Sequence, residues 1–536
     1  MDLIKAVLVM IFWLAFSDSS RILLAPLNSI GYNSRMRNVL RIGRILLQAG
    51  HDVTVIVSDR TEKESLFQHA EGATFESEFS VLNYKTPEFN PDTVDSTANQ
   101  EWLDKWVNRP YTTLLQIVGQ VYEDNLEFAL RDKEMWNKIA SSKFDLIFAD
   151  DAVFFPRLVS AYFNIPMIVY SNWGPMSIDP NFIPRYNLAY VHAFFPATFT
   201  DEMTFTERFM NVVEFWRIKW TWYDMYNRFI SICREHSYGD ACDNIRDAYK
   251  TISLIMMNRN DAVHYPAPYM PHIISVEGFF LKSETEPLET EYRNIIKEAG
   301  EQGIIVASFG STLRRLSPKM REKFATAFAA MPQTVIWSYE GPPPKGLGNN
   351  TIVNKWIPQE SLLAHPSTKL FVTHCGASAL FQALHYGIPT VGLPFFWDQP
   401  FNCHKLTHKI MSGKTVMPIE TTSEELKNAM QEVINDERYK HNANKTADIY
   451  HSQPIDPKKK LVYWIEYVIK HKGAHHLRSN AENELNVFQY YLLDIIALVV
   501  CSFVVFGGII AIVITHLIKY VIYTYYKLYN HKMKKD

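Results

Sequence analysis

Short apolar runs alternate with helical periodicity along most of this chain. Arg21 to Pro26 and Asp52 to Val57 read as buried strands. Between them Val39, Ile42, Leu46 and Leu47 recur at helical spacing up to Gly50, which predicts a βαβ unit at the start of the mature chain. Asp145 to Ala149 and Met167 to Tyr170 are predicted as further buried strands, followed by a polar and aromatic region in which no order is readable. Pro266, Pro268 and Pro271 interrupt the chain, and the alternation then restarts. Gly303 to Ser308, Thr334 to Trp337, Leu370 to Thr373 and Thr390 to Leu393 are predicted strands, with helices over Pro318 to Ala330 and Ala379 to His385. Alternation of this kind predicts an α/β protein with a parallel sheet in each half and a cleft between the halves.

The two ends carry a different pattern. Ala6 to Phe16 is an apolar run too short to span a bilayer, preceded by Lys5 and followed by small polar residues, the form of a signal peptide. Ile495 to Ile518 is 24 residues long without Asp, Glu, Lys or Arg, enough to cross about 30 Å of hydrocarbon as a helix. The tail from Lys519 onward carries five lysines and one aspartate, which keeps it cytosolic and the folded body lumenal. Its final residues, Lys532-Met533-Lys534-Lys535-Asp536, resemble the dilysine retrieval signal of endoplasmic-reticulum membrane proteins. The expectation is a single-pass type I protein of that membrane.

Composition narrows the partners. With 54 basic against 57 acidic residues and no extended basic run before the tail, nucleic acid is not an expected partner. At 536 residues the chain exceeds one ordinary domain. Five cysteines are too few for a disulfide framework, although Cys233 and Cys242 are close enough in sequence to pair. Asn349-Asn350-Thr351 and Asn444-Lys445-Thr446 match the glycosylation sequon.

Candidate chemistry lies in the second half. If Phe371 to Thr373 is a strand and Ser378 starts a helix, His374-Cys375-Gly376-Ala377 presents backbone N–H groups at a helix N-terminus, a site for an anion such as a pyrophosphate. Gly376 permits close approach of the backbone, and His374 supplies a hydrogen-bond donor. The turn Phe309-Gly310-Ser311-Thr312 follows another predicted strand in the same way. Between the two turns stands Trp356-Ile357-Pro358-Gln359, an aromatic ring and an amide suited to a flat polar base.

These residues carry a family resemblance. Trp356-Ile357-Pro358-Gln359, Leu362-Leu363-Ala364-His365-Pro366, Thr373-His374-Cys375-Gly376, Gly387-Ile388-Pro389 and Asp398-Gln399 together resemble the donor signature of UDP-glycosyltransferases of the animal UDP-glucuronosyltransferase type. The likeness extends to Phe144-Asp145-Leu146-Ile147-Phe148-Ala149-Asp150 and to Met203-Thr204-Phe205-Thr206-Glu207-Arg208. It implies a GT-B architecture of two facing Rossmann-like domains plus a C-terminal transmembrane helix. The chain then divides into a signal peptide (1–20), an N-terminal acceptor-binding domain (21–275) and a C-terminal UDP-sugar-binding domain (276–455). A helical and juxtamembrane segment (456–494), the membrane span (495–518) and a cytosolic tail (519–536) follow.

The resemblance also implies roles. The co-substrate is a UDP-sugar, the acceptor a small lipophilic molecule, and no metal or further cofactor is needed; a homo-oligomer is allowed. Trp356 stacks on uracil, Gln359 contacts the nucleoside, and His374, Gly376 and Ser378 hold the pyrophosphate; Gly310 and Ser311 of the neighbouring turn join the UDP-sugar site on the reading of that turn given above. Asp398 and Gln399 read the sugar hydroxyls. The expected reaction is inverting transfer of glucose or glucuronic acid.

Three positions depart from the family pattern. His-Gly-Gly becomes His374-Cys375-Gly376, and a Glu that accepts from ribose hydroxyls becomes Gln382, which exchanges a charge-assisted bond for a neutral one of about half the strength. The third departure concerns the family's general base, a His after the first strand oriented by a distant Asp. Asp150 matches that Asp, but Asn28 to Arg35 contains no His, and Arg35 stands at the base position. Arginine does not accept a proton near neutral pH. Three readings follow: a working transferase with altered acceptor preference, with Asp150 as orienting group or substitute base; a slow transferase; and a relative that binds UDP-sugar without turnover.

Overall fold

The computed structural model describes residues 19–27, 34–59, 78–86, 111–172, 187–192, 198–247, 252–281, 285–310, 313, 316–479, 481 and 484–534. Most of the expected signal peptide therefore lies outside the described residues.

The first sheet consists of β1 (Arg21–Ala25), β2 (Asp52–Ser58), β3 (Ser80–Tyr84), β4 (Leu146–Asp150), β5 (Met167–Ser171), β6 (Leu254–Met257) and β7 (Ile273–Ser275). All pairings are parallel, in the order β3-β2-β1-β4-β5-β6-β7. The second consists of β8 (Ile304–Ser308), β9 (Thr334–Ser338), β10 (Thr351–Asn354), β11 (Thr368–Thr373), β12 (Thr390–Gly392) and β13 (Gly413–Thr415), also parallel, in the order β10-β9-β8-β11-β12-β13. Each order reverses once at its centre, between β1 and β4 and between β8 and β11. A crevice opens at such a reversal, beyond the carboxyl ends of the strands, and open α/β sheets bind their ligands there.

The expected strands are present, most shifted by a residue or so at one end. The shift matters once: the strand expected over Asp145 to Ala149 is Leu146–Asp150, so Asp150 is the last residue of β4, at the mouth of the crevice. The central strands are buried on every residue, which is why they read as continuous apolar runs.

Helix α1 (Ser34–Gln48) follows β1 and buries Met36, Val39, Leu40, Ile42 and Leu46. The region left unordered by the sequence contains a 31-residue helix, α2 (Phe205–Glu235). It starts in a capping box, with Thr204 accepting from the Glu207 N–H and Glu207 accepting from the Thr204 N–H at 2.7 Å, which gives the Met203 to Arg208 run its structural meaning. One face packs Trp222, Met225, Tyr226 and Phe229 into the core, while Phe205, Phe209, Trp216, Trp220 and Tyr223 remain exposed.

The two sheets and their helices form one compact unit that runs to Leu477. A continuous apolar cluster joins the lobes: Ile22, Leu24 and Tyr170 of the first sheet share it with Cys375, Leu380, Phe381 and Cys403 of the second lobe. The helix α6 (Pro457–Lys470) adds Leu461, Ile465 and Val468 to that same cluster. The remainder, from Arg478, is a separate unit containing α7 (Leu493–Met533), a helix long and apolar enough to cross a membrane. The expected span, Ile495 to Ile518, is its uncharged part.

Burial decides the cost of losing an aromatic ring on α2. Trp222→Ala is expected to destabilise the body by about 3–5 kcal/mol, whereas Trp220→Ala, two residues away on the wet face, stays within about 0.5 kcal/mol. Denaturant titration of the two variants checks this, and equal losses would contradict the packing described.

Candidate active site

A cavity of about 330 Å3 lies beyond the carboxyl ends of β8 and β11. Its floor is Ser308, Gly310, His374, Gly376 and Ser378; its side is Trp356 and Gln359; its roof is Ser34, Arg37 and Arg41 from α1 of the other lobe. The helix α4 (Ala377–His385) points its N-terminus at this space, with Gly376 as its N-cap. Backbone N–H groups of its first turn have no intrahelical acceptor and so favour an anion.

The two glycine-containing turns expected to cradle phosphate are built around an imidazole. A Cβ on Gly310 would lie 2.7 Å from His374 Nε2, and one on Gly376 would lie 2.5 Å from the same atom. Both positions are glycine because the His374 ring fills the space between them. Gly310 is also left-handed, with φ 75°. Nδ1 of that ring lies 3.3 Å from Thr373 Oγ1. Burial pushes the imidazole down to about 4, so it enters the site neutral. Ser378 Oγ lines the cavity, buried and without a hydrogen-bond partner among the described residues. An orphaned hydroxyl beside a helix N-terminus indicates an absent acceptor. Ser311 lies outside the described residues.

On the side wall, Trp356 is half exposed, and the Arg37 guanidinium sits over its ring at 5.2 Å. Gln359 opens the short helix α3 (Gln359–Ala364), and its amide nitrogen donates to Gln382 Oε1 at 2.5 Å. Gln382 in turn donates to Glu360 Oε1 at 3.2 Å. A carboxylate cannot donate, so this chain of bonds fixes which way the Gln382 amide faces. Arg41 Nη2 stands 3.8 Å from the same Glu360 oxygen. The negative charge missing at Gln382 is thus present next door, on Glu360, which the sequence reading passed over. Arg37 and Arg41 were missed as well; their spacing of four on the polar face of α1 is the only sequence signal they give.

Asp398 and Gln399 are not among the residues that line this cavity. They open the helix α5 (Gln399–His404), both buried. The Gln399 side-chain oxygen accepts from the Phe395 and Phe396 N–H groups at 2.9 and 3.2 Å and so holds the preceding turn. Asp398 Oδ2 accepts from Asn402 Nδ2 at 2.7 Å. Burial, opposed by Lys405 and the Asn402 hydrogen bond, raises Asp398 to about 6; Arg35 of the other lobe also opposes the rise.

The crevice of the first sheet holds a buried ionic cluster. Arg35 Nε donates to Asp150 Oδ2 at 3.0 Å, and its Nη2 donates to Asp150 Oδ1 at 2.5 Å and also to Asp151 Oδ1. The Ala152 N–H donates to Asp150 Oδ1 at 3.0 Å. Three of the roughly four acceptor positions of Asp150 are therefore engaged. Burial works against the charge on Arg35, but the two carboxylates outweigh it and hold the guanidinium protonated. Burial raises Asp150 to about 6, against Arg35 and with Asp151. Beside this cluster an apolar recess of about 20 Å3 is lined by Leu27, Tyr84, Tyr122 and Phe154. The loop positions Asn28 to Asn33 lie outside the described residues.

Two parallel sheets of Rossmann order with a cleft between them are the GT-B fold. The solved structures bear this out: the chain matches the calicheamicin glycosyltransferase CalG4 with a TM-score of 0.55 at 16% identity, over 84% of this chain and 98% of that one. The glycotransferase of kitacinnamycin matches with a TM-score of 0.56, also at 16% identity, over 84% and 99%. The model of the UDP-glucoronosyl and UDP-glucosyl transferase family matches residues 22–535, and the chain belongs to that family. Human UDP-glucuronosyltransferase 2B10 is 31% identical over 86% of this chain and 87% of its own length. Human UDP-glucuronosyltransferase 2B28 is 32% identical over 87% and 88%, and rat UDP-glucuronosyltransferase 2B1 is 31% identical over 86% and 87%. The protein is a UDP-sugar glycosyltransferase of the glucuronosyltransferase kind.

The depressed imidazole makes a pH test available. If the neutral His374 imidazole donates to the diphosphate, UDP-sugar affinity should change by no more than about twofold between about pH 6 and 8. If it bound as imidazolium, affinity would fall by up to about tenfold per unit as pH rose above its pKa. Calorimetric titrations across that range separate the two cases.

Proposed function

We propose that this protein transfers a glucosyl or glucuronosyl group from a UDP-sugar to a small lipophilic acceptor, with inversion, in the lumen of the endoplasmic reticulum. The observation that carries the proposal is the seat around His374: an imidazole clamped between two glycines, an orphaned Ser378 hydroxyl, and a helix N-terminus converging on one cavity. Trp356 supplies a face for uracil once Arg37 moves aside, and Glu360 with Gln359 and Gln382 supplies acceptors for ribose hydroxyls. As the glycosidic bond to UDP breaks, negative charge grows on the diphosphate, and fixed dipoles stabilise it there without reorganising.

Two buried disulfides, Cys233–Cys242 and Cys375–Cys403, support a lumenal body, because thiols are kept reduced in the cytosol. The helix α7 and the lysine-bearing tail support the membrane anchor and its orientation. Asn349 lies exposed in the turn before β10 and suits glycosylation, whereas Asn444 sits within a helix.

Arg35 determines the acceptor class. A neutral alcohol needs a base to take its proton, and among the described residues no imidazole stands beside Asp150. Asp150 is a poor substitute, because taking a proton would break its bidentate pair with Arg35. Amines, thiolates and acidic phenols attack without such help and are the proposed nucleophiles. The Arg35–Asp150 pair also favours a second reading, donor binding without turnover.

Calorimetry on solubilised protein tests the donor site. UDP should bind, and His374→Ala should weaken it by about tenfold or more, the loss of a hydrogen bond to a charged group. No heat at millimolar UDP would remove the proposal. Arg35→His tests the acceptor side. Restoring an imidazole beside Asp150 should raise turnover of alcohol acceptors by about 10²–10⁴ while leaving amine and thiol acceptors within a few-fold. An equal rise for all acceptors would refute the assignment, and binding without any product from wild type would select the second reading.

A further inference from the structure

Cys375 stands between His374 and Gly376 in the turn from β11 to α4, and its backbone is left-handed, with φ 60°. Glycine is at ease in that region and a residue with a Cβ is not. The sulfur of Cys375 is bonded to Cys403 on α5, 28 residues further on. Both cysteines are wholly buried. Gly392, the last residue of β12, makes room for the bond, since a Cβ there would lie 2.4 Å from each sulfur. Asn402, next to Cys403, donates from Nδ2 to the Cys375 carbonyl at 3.0 Å and to Asp398 Oδ2 at 2.7 Å. A single helical turn bearing Asp398, Asn402 and Cys403 is therefore fastened, covalently and by a hydrogen bond, to the backbone turn that presents His374.

We infer that the Cys375–Cys403 disulfide is a positioning clamp for the donor, holding the turn that presents His374 to the diphosphate against the buried helix that carries Asn402. The inference rests on the donor-site reading given above. The bond touches no substrate. It acts through His374, by keeping a left-handed cysteine in a conformation that an unbonded one would leave. Without it the competent turn becomes one of several, and apparent donor affinity falls by the fraction of molecules that retain it.

The test compares Cys403→Ala with the double variant Cys375→Gly, Cys403→Ala, which puts glycine at the left-handed position. If the freed turn keeps its geometry in about a tenth of molecules, Cys403→Ala raises the donor KM and the calorimetric Kd for UDP about tenfold, with kcat at saturating donor within about twofold. The double variant should recover most of that affinity. A lowered Tm for Cys403→Ala with unchanged donor affinity would mean the bond only stabilises the fold and would overturn the clamp. So would a double variant no better than the single one. Should Cys403→Ala not accumulate as folded protein, wild type is compared before and after reduction by a phosphine. That reaction yields two thiols and the phosphine oxide, and alkylation with mass measurement shows which pair has opened. Affinity unchanged after opening of Cys375–Cys403 would again overturn the proposal. Oxidised wild type that binds no UDP would instead remove the donor-site reading itself.

Discussion

A guanidinium buried against two carboxylates organises the reaction crevice. Arg35 is the second residue of α1, and its bidentate bond to Asp150 at the end of β4 sets the rotation of that helix over the first sheet. With Arg35 turned towards β4, Arg37 and Arg41 fall on the face that roofs the donor cavity. Charges are costly to bury unless paired, and removing one partner of such a pair typically costs about 3–5 kcal/mol. The cluster is therefore a structural commitment as well as a chemical one, because the contact that excludes a base at position 35 also seats the helix bridging the two lobes.

The same cluster sets the electrostatics of the cleft. Asp150 and Asp151 share one cation, and Asp398 lies near enough for Arg35 to oppose its shift. Burial lifts Asp150 and Asp398 to about 6. These carboxylates gain their proton more readily in the folded protein than in the unfolded chain. Their contribution to stability is full below about pH 4 and is lost as pH rises through about 6. Burial acts on His374, His385 and His404 in the opposite sense, to about 4, so their contribution is present above the ordinary histidine range and is lost as pH falls through about 4. Between these limits the acidic and imidazole groups pull against each other, which keeps the pH dependence of stability shallow across the range where the cleft groups titrate.

Legibility in the sequence followed the physics of each element. The central strands were readable because burial on both faces leaves an unbroken apolar run, as in Leu146–Asp150 and Ile304–Ser308. The edge strand β3 is only partly buried, and the short β7, β10 and β13 carry too few residues for a pattern. The helix α2 was unreadable for the opposite reason: it is apolar on its core face and aromatic on its exposed face, so no amphipathic period stands out. In the donor half the turn residues His374, Gly376 and Ser378 were legible as a motif. The reason for the glycines was not, since it depends on an imidazole from one turn reaching the other. Pairings across the cleft or across many residues, Arg37 over Trp356 and Cys375 with Cys403, leave no local trace. Arg35 was legible as a missing base but not as a partner of Asp151.

The donor and acceptor halves draw on largely different residues, and this separates binding from turnover. Most groups around His374 come from the second lobe; the first contributes Ser34, Arg37 and Arg41 of α1, the helix that the Arg35–Asp150 pair seats. Losing a general base raises the barrier by about 3–5 kcal/mol, at about 1.4 kcal/mol per tenfold in rate. That penalty falls only on acceptors whose proton must leave before or during attack. A nucleophile that arrives as an anion, or an amine basic enough to attack before it loses its proton, does not incur it, and the donor half then supplies the same leaving-group stabilisation as it would for an alcohol. Under the proposed function, the Arg35–Asp150 pair therefore alters the order of acceptors more than the quality of the donor site. On the proposed reading, lipophilic amines, thiolates and acidic phenols are favoured over neutral alcohols, and the pairing of Arg35 with Asp150 is the reason.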